Sequence, residues 1–316
     1  MFKKLILPVG LLLVILLALC QPGPGIWMKD HYMIEVYTFF MFLGNGWLFR
    51  ASNLKVGRSF FMMSFAAVLF LLIAGPLAGI AAVNLFGYTS LYALGFIVMA
   101  AMPPTLSSCV VVTEVAGGNP AASLFMTVAL NLLSIFSLPI VLPIALGSSE
   151  DIGISGSKLL YKLLLIVLLP FFCGISLKRL IKKDHFLISY VPLICVLLTV
   201  LAAFSSSREL LFNIFWRLPS FITASAAIHL LLMLLAWAAA RCLNFDRRDT
   251  TAFAFTVSQK TMPIALGVLS TFGGNIAEAF AVCIIFHMTQ LLVDSVIAAA
   301  LPLQRYRCFR RRQEVI

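Results

Sequence analysis

The chain has 316 residues, 62% of them hydrophobic and 11% charged, with a formal net charge of +11 and a mean hydropathy of +1.05. A water-soluble core cannot hide so large an apolar fraction, so the composition excludes a soluble globular protein and implies a multi-pass integral membrane protein. No polar stretch is long enough for a soluble domain. One transmembrane domain covering 1–316 is expected, with its chemistry inside the bilayer or at its faces.

In chain order, apolar runs of about 20 residues predict helices over 5–20, 33–49, 59–84, 91–115, 119–147, 157–182, 186–204, 214–241, 249–270 and 275–301. The first run follows Met1-Phe-Lys-Lys and ends at Leu19-Cys20, which lacks the small side chain a processing site needs, so it is read as a retained span. Five runs precede the polar segment from Gly147 to Gly156 and five follow it. The expected fold is therefore all-α, with ten transmembrane helices in two repeats, about 1–147 and 157–303, and a basic tail over 304–316. An odd number of spans per repeat inverts the second relative to the first.

Charge sets the orientation. With the amino terminus inside, the inner loops and tails hold Lys3, Lys4, Arg50, Lys55, Arg58, Lys178, Arg179, Lys182, Lys183, Arg241, Arg247, Arg248 and the five arginines of 305–312. The outer side holds Lys29, Lys158, Lys162, Arg208 and Arg217. This excess puts both termini in the cytoplasm, with a bacterial inner (plasma) membrane as the expected location. The basic residues sort by membrane side and lack interleaved aromatics, so anionic inner-leaflet lipid, not nucleic acid, is the expected partner of Arg305 to Arg312. Seven cysteines show no metal-ligand spacing and read as small packed hydrophobes.

Two apolar spans are interrupted in matching places. Met102-Pro103-Pro104-Thr105 lies in the fourth run, and Ser258-Gln259-Lys260-Thr261 lies 156 positions later in the ninth. At the same offset, Gly117-Gly118-Asn119-Pro-Ala is echoed by Gly273-Gly274-Asn275-Ile-Ala. Pro103 and Pro104 remove two backbone donors, and Pro263 acts likewise in the other half; carbonyls freed at membrane depth can bind ions or anionic groups. Plain proline kinks are the alternative reading. Ser123, Thr127, Asn131 and Ser134 lie on one face of the fifth helix, and Ala279, Cys283, His287 and Gln290 hold the shifted positions in the tenth. Both faces are expected to look toward the crossing, although a hydroxyl can also simply bond its own helix.

Lys260 is the one basic residue within a span. It should face a wet cavity and a partner, where its ammonium could replace a bound cation, exchange a proton, pair with an anionic substrate or bond freed carbonyls. Glu35, Glu114 and Asp294 are placed near span ends, reaching interfacial water; His229 is read as a core histidine and His287 as part of the stripe. No nucleophile elbow, zinc-binding helix, aspartate dyad or phosphate loop is present, so an enzyme is not expected.

The ten-helix plan, Gly46-Trp-Leu-Phe-Arg50, the Pro103-Pro104-Thr-Leu-Ser107-Ser108 break, Gly118-Asn119 with Ser123 and Thr127, and Ser258-Gln259-Lys260-Thr261 resemble the bile acid:sodium symporter family, in particular its bile-acid-symporter-like branch. The resemblance implies a panel and a core, with helices four and nine unwound and crossed in the core. It also implies sodium sites there: Ser107, Ser108, Ser123 and Thr127 look like ligands of one, and the segment Thr256 to Lys260 contributes to both. The chain departs from the pattern at Phe255, where the family carries a carboxylate, and at Lys260, where it carries an amide. The resulting expectation is a secondary active transporter (symporter) of a small or amphipathic organic anion, sodium- or proton-coupled, working by alternating access. No cofactor is expected beyond a sodium ion. Ser107, Ser108, Ser123, Thr127, Ser258, Gln259, Lys260 and Thr261 would build the site, supported by Pro103, Pro104, Asn131, His287 and Gln290. The alternatives are a non-transporting membrane sensor or assembly factor on the same fold, or an anion exporter.

Overall fold

The computed structural model describes residues 2–49, 58–106, 108–147, 156–181, 188, 190–272 and 276–313. Among them the regular structure is entirely helical. In chain order the α-helices are α1 (Phe2–Cys20), α2 (Gly23–Asp30), α3 (Met33–Leu48), α4 (Arg58–Leu69), α5 (Gly75–Phe86), α6 (Ser90–Ala101), α7 (Ser108–Val115), α8 (Pro120–Leu146), α9 (Gly156–Leu163), α10 (Leu169–Ile181), α11 (Val191–Asn213), α12 (Leu218–Cys242), α13 (Arg247–Ser258), α14 (Met262–Leu269) and α15 (Ala277–Gln313).

Single π-turns, Phe70–Ala74 and Leu164–Leu168, join α4 to α5 and α9 to α10. Each stands just before a proline, Pro76 or Pro170, whose missing N–H shifts the hydrogen-bond ladder without ending the helix.

Seven helical segments among the described residues are long and apolar enough to cross a membrane: Phe60–Phe86, Pro120–Leu146, Ser157–Ile181, Val191–Glu209, Phe215–Cys242, Arg247–Leu269 and Ala277–Leu301. The other three predicted runs fall on α1, on the 16 residues of α3, and on α6 and α7, which the Pro103-Pro104 interruption separates. The short α2 was not among the predicted elements; its turn begins at Gly23-Pro24, with proline in the first turn.

The spans differ in how they divide apolarity and burial. The most apolar 18 residues of Phe60–Phe86 have a mean hydropathy of 2.4 and are 50% buried, whereas those of Arg247–Leu269 have only 1.2 and are 100% buried. A weakly apolar span is tolerated in a bilayer when protein, not lipid, surrounds it. That span contains the second interruption.

Contacts fall into two sets. In one, α3 packs on α10 and α11, and α11 on α1 and α2; in the other, α12 packs on α13, α15 and α5, α6 on α5 and α15, and α8 on α7 and α13. The α3–α10 contact is close enough that a Cβ on Gly46 would stand 2.0 Å from the Phe171 carbonyl oxygen, and one on Gly174 would stand 2.1 Å from that of Leu43. Small residues let membrane helices approach to backbone contact. Contacts of α15 with α11 and of α14 with α3 connect the two sets.

Candidate ion and substrate site at two helix breaks

The local sequence explains how the first break is mounted. Gly117 closes α7 in the left-handed region (φ +75°), which glycine adopts without steric cost. A Cβ on Gly118 would stand 2.7 Å from Thr113 Cγ2 and 3.0 Å from Thr251 Cγ2, so glycine is needed there for close approach. Asn119 then caps α8, its Oδ1 accepting from the Ala122 N–H at 3.2 Å ahead of Pro120. The same side chain donates to Asp249 Oδ1 at 2.8 Å, and the Asn119 N–H donates to the Arg248 carbonyl at 3.0 Å. The amino end of α8 is thereby tied to that of α13, whose own cap is Asp246. Gly273, Gly274 and Asn275, the expected counterparts, lie outside the described residues.

Between α6 and α7 the chain is extended at Met102 and non-helical through Thr105; between α13 and α14 it is extended at Gln259 and Thr261. The two interruptions touch, with the Thr261 N–H donating to the Pro103 carbonyl at 2.9 Å. Each is also braced by an amide from a neighbouring helix. Asn131 Nδ2 donates to the Pro104 carbonyl at 2.9 Å and to that of Thr127 at 2.7 Å. Gln290 brackets Lys260, its Oε1 accepting the Lys260 N–H at 2.9 Å and its Nε2 donating to the Lys260 carbonyl at 2.6 Å. Backbone groups without helical partners are thus satisfied by side chains, as a water-poor interior requires.

Side chains complete the junction. The Thr105 and Ser108 hydroxyls lie within hydrogen-bond reach of each other and both donate to Gln259 Oε1, Ser108 at 2.8 Å. Gln259 Nε2 donates to Asp294 Oδ2 at 2.6 Å, while Asp294 Oδ1 pairs with His229 Nε2 at 2.8 Å. His229 Nδ1 faces the Ser258 carbonyl at 3.2 Å. Gln259, Asp294 and His229 are each 0% exposed. A connected chain of polar groups therefore runs from α12 through α15 and the second break to the first.

Other predicted residues take subsidiary places. Ser123 joins α8 to α13 by a 2.8 Å hydrogen bond to Thr256, while Thr127 donates to the Ser123 carbonyl and shares a hydrogen bond with Cys109. The Ser258 side chain bonds the Phe255 carbonyl of its own helix. His287 Nδ1 lies 2.9 Å from Gln290 Nε2. Ser134 bonds its own helix, and Ser107 lies outside the described residues. Lys260 is buried with its ammonium against α5: a Cβ on Gly75 would stand 3.0 Å from Nζ and 2.5 Å from the Ala100 carbonyl oxygen at the end of α6. No described acid pairs with it.

A pocket adjoins the junction, lined by Thr105, Ser108, Thr261 and Pro263 of the breaks and by His287 of α15, with Met41 of α3 and Val196 of α11 facing them. It lies between the two contact sets. Lys260 is not among its lining residues.

Asp294 departs from expectation. Placed near a span end with access to water, it is instead fully buried and bonded to His229 and Gln259, because α15 continues well past it and α12 covers it. Asp294 follows Gln290 by four residues and so extends the Cys283, His287, Gln290 stripe by one more turn, a signal already present in the spacing. Glu35 does reach the surface, where it pairs with Lys162 at 2.9 Å beside Ser270, and Glu114 is exposed.

The profile of the SBF-like CPA transporter family matches residues 6–302. Among curated proteins, the chain is 27% identical over 320 residues to "Probable sodium/metabolite cotransporter BASS4, chloroplastic" of Oryza sativa subsp. indica, covering 92% of this chain and 74% of that one. It is 30% identical over 224 residues to the protein of that name in Arabidopsis thaliana, covering 64% and 51%. It is 23% identical over 307 residues to "Sodium/bile acid cotransporter 7" of Danio rerio, covering 92% and 91%.

Proposed function

This chain belongs to the SBF-like CPA transporter family of secondary transporters, and we propose that it moves a small or amphipathic organic anion by alternating access, coupled to a cation bound where its two interrupted helices cross. The reading is supported above all by one observation: two helix breaks joined by the Thr261 to Pro103 hydrogen bond, with Gln259 reaching across to Thr105 and Ser108. Loosened backbone and hydroxyls at that depth suit ion binding, where an unbroken helix would keep its carbonyls engaged. The ten predicted spans arranged as inverted repeats supply the motion, with the helices around the crossing moving against those around α3 and α11.

The roles divide by chemistry. Thr105, Ser108 and Gln259 Oε1 form a cluster of oxygens that a sodium ion accepts as ligands, and Asn131 Oδ1, buried with no described hydrogen-bond partner, adds an acceptor beside Pro104. Ser123, Thr127, Ser258 and Thr261 shape the surrounding scaffold. The organic anion occupies the pocket between the crossing and Met41 and Val196, where His287 is its polar neighbour. Lys260 acts from behind the crossing, as a fixed positive charge that favours an anion in the pocket without touching it.

The test is uptake of labelled taurocholate and of labelled pyruvate into proteoliposomes, with sodium and proton gradients imposed separately. Accumulation of either anion driven by one of the gradients is the expected result. Binding with no flux under any gradient would instead point to a sensor built on the same fold.

A further inference from the structure

The side-chain amide of glutamine can present either its oxygen or its NH2 to a neighbour, and the two choices give opposite sites. An oxygen receives hydroxyl hydrogens or a cation; an NH2 repels a cation and suits an anion. Gln259 stands at the meeting point of the two breaks, so the direction of its amide sets the polarity of the junction.

That direction is settled by groups outside the junction. The Ser258 carbonyl can only accept, so His229 presents Nδ1–H to it at 3.2 Å, and one proton is held between Nε2 and Asp294 Oδ1 at 2.8 Å, which leaves Asp294 Oδ2 an acceptor whichever of the two carries it. The second carboxylate oxygen of Asp294 accepts from Gln259 Nε2 at 2.6 Å. With the NH2 consumed on that side, Oε1 must face Thr105 and Ser108. His229, Asp294 and Gln259 are fully buried, so water does not substitute for the links that turn the amide.

We infer that Asp294, held by His229, is a positioning residue for the coupling-cation site: it turns the Gln259 amide so that oxygen faces Thr105 and Ser108. The inference rests on the proposed cation site at the crossing and adds the residue that makes the site receptive. It also accounts for a carboxylate kept one turn beyond the polar stripe of α15, in contact with neither Thr105 nor Ser108.

Asp294→Asn removes the carboxylate charge without reversing the chain. With His229 Nδ1–H on the Ser258 carbonyl, a neutral Nε2 accepts from the asparagine NH2, and the asparagine oxygen still accepts from Gln259 Nε2, so Oε1 keeps facing Thr105 and Ser108. Asp294→Leu removes the acceptor itself. Nothing then holds the Gln259 NH2 away from the two hydroxyls, which accept from it, and the junction loses its preference for a cation.

The experiment uses sodium ion alone, as the stabilisation of the purified full-length protein in detergent by NaCl relative to choline chloride of equal ionic strength. Wild type is expected to gain a sodium-specific rise in Tm. Asp294→Asn should keep the choline baseline within a few degrees, on the order of the shift from a 1 kcal/mol change, and keep wild-type sodium sensitivity. Asp294→Leu should need at least tenfold more sodium for half its effect. Rescue by the asparagine, which keeps the acceptor without the charge, separates the turning of the amide from a charge role, and a merely structural role read in the choline baseline does not move the sodium half-point. An Asp294→Leu response equal to wild type, or an Asp294→Asn variant as insensitive as Asp294→Leu, overturns the positioning role. A wild-type protein indifferent to sodium overturns the cation site itself, and the inference with it.

Discussion

Two regions of this molecule bring helices into intimate contact by opposite means. Where α3 meets α10, Gly46 and Gly174 remove side chains, so that backbone lies on backbone at distances where no Cβ fits. At the crossing of the α6–α7 and α13–α14 breaks, the helices stop, and polar side chains from α8, α12 and α15 take over the backbone's hydrogen bonds. Loss of side chains gives a contact with few alternatives, because steric fit has a single solution. Exchange of hydrogen-bond partners gives a contact with several arrangements of similar energy, which a binding site that changes state requires. On the proposed reading, movement belongs to the second region and its support to the first.

Breaking the support should do the most damage. Gly174→Val forces a branched side chain into the Leu43 carbonyl and should cost about 3 kcal/mol or more; the measure is the yield of folded protein after membrane extraction and its Tm. Next comes Asp294→Ala, which strands His229 Nε2 and Gln259 Nε2 in a buried site and should destabilise by about 3 kcal/mol, well beyond the isosteric Asp294→Asn. Lys260→Ala sharpens the contrast differently, since this ammonium has no described acid partner to leave unpaired. That variant should reach the membrane and keep its Tm within a few degrees, about the span of a 1 kcal/mol change, while losing transport; wild-type uptake would remove Lys260 from the account. The smallest effect is expected at the protein surface, where Lys162 and Glu35 form a partly exposed pair at 2.9 Å. Lys162→Ala should change stability by less than about 1 kcal/mol, and the change should fade in high salt.

The interruptions were legible because Pro103, Pro104 and Pro263 are chemically incompatible with an uninterrupted ladder, whatever surrounds them. The Gly117-Gly118-Asn119 run was legible as a motif, although its three separate duties (a left-handed turn, a close approach and a helix cap) emerge only once α13 lies beside it. Asp294 was misplaced because hydropathy locates a residue along the membrane normal and not around the helix; only its fit to the Cys283, His287, Gln290 stripe points inward. Lys260 stands out in the sequence as a charge at membrane depth, but in place of the expected wet cavity its ammonium is buried against Gly75 and the end of α6. Thr105 went unnamed as a site residue because a single hydroxyl beside two prolines carries no periodicity. Helix count was harder still: apolar runs mark ten stretches, whereas α3, α6 and α7 are short helices whose membrane role depends on neighbours.

The most direct test removes the two hydroxyls of the crossing while keeping its shape. Thr105→Val/Ser108→Ala, reconstituted in parallel with wild type, is assayed for accumulation of labelled taurocholate or pyruvate under the gradient that drives the wild-type protein. The account predicts normal amounts of folded protein and at least a tenfold loss of gradient-driven accumulation, corresponding to about 1.4 kcal/mol of lost binding. Accumulation equal to wild type would show that the coupling ion binds elsewhere.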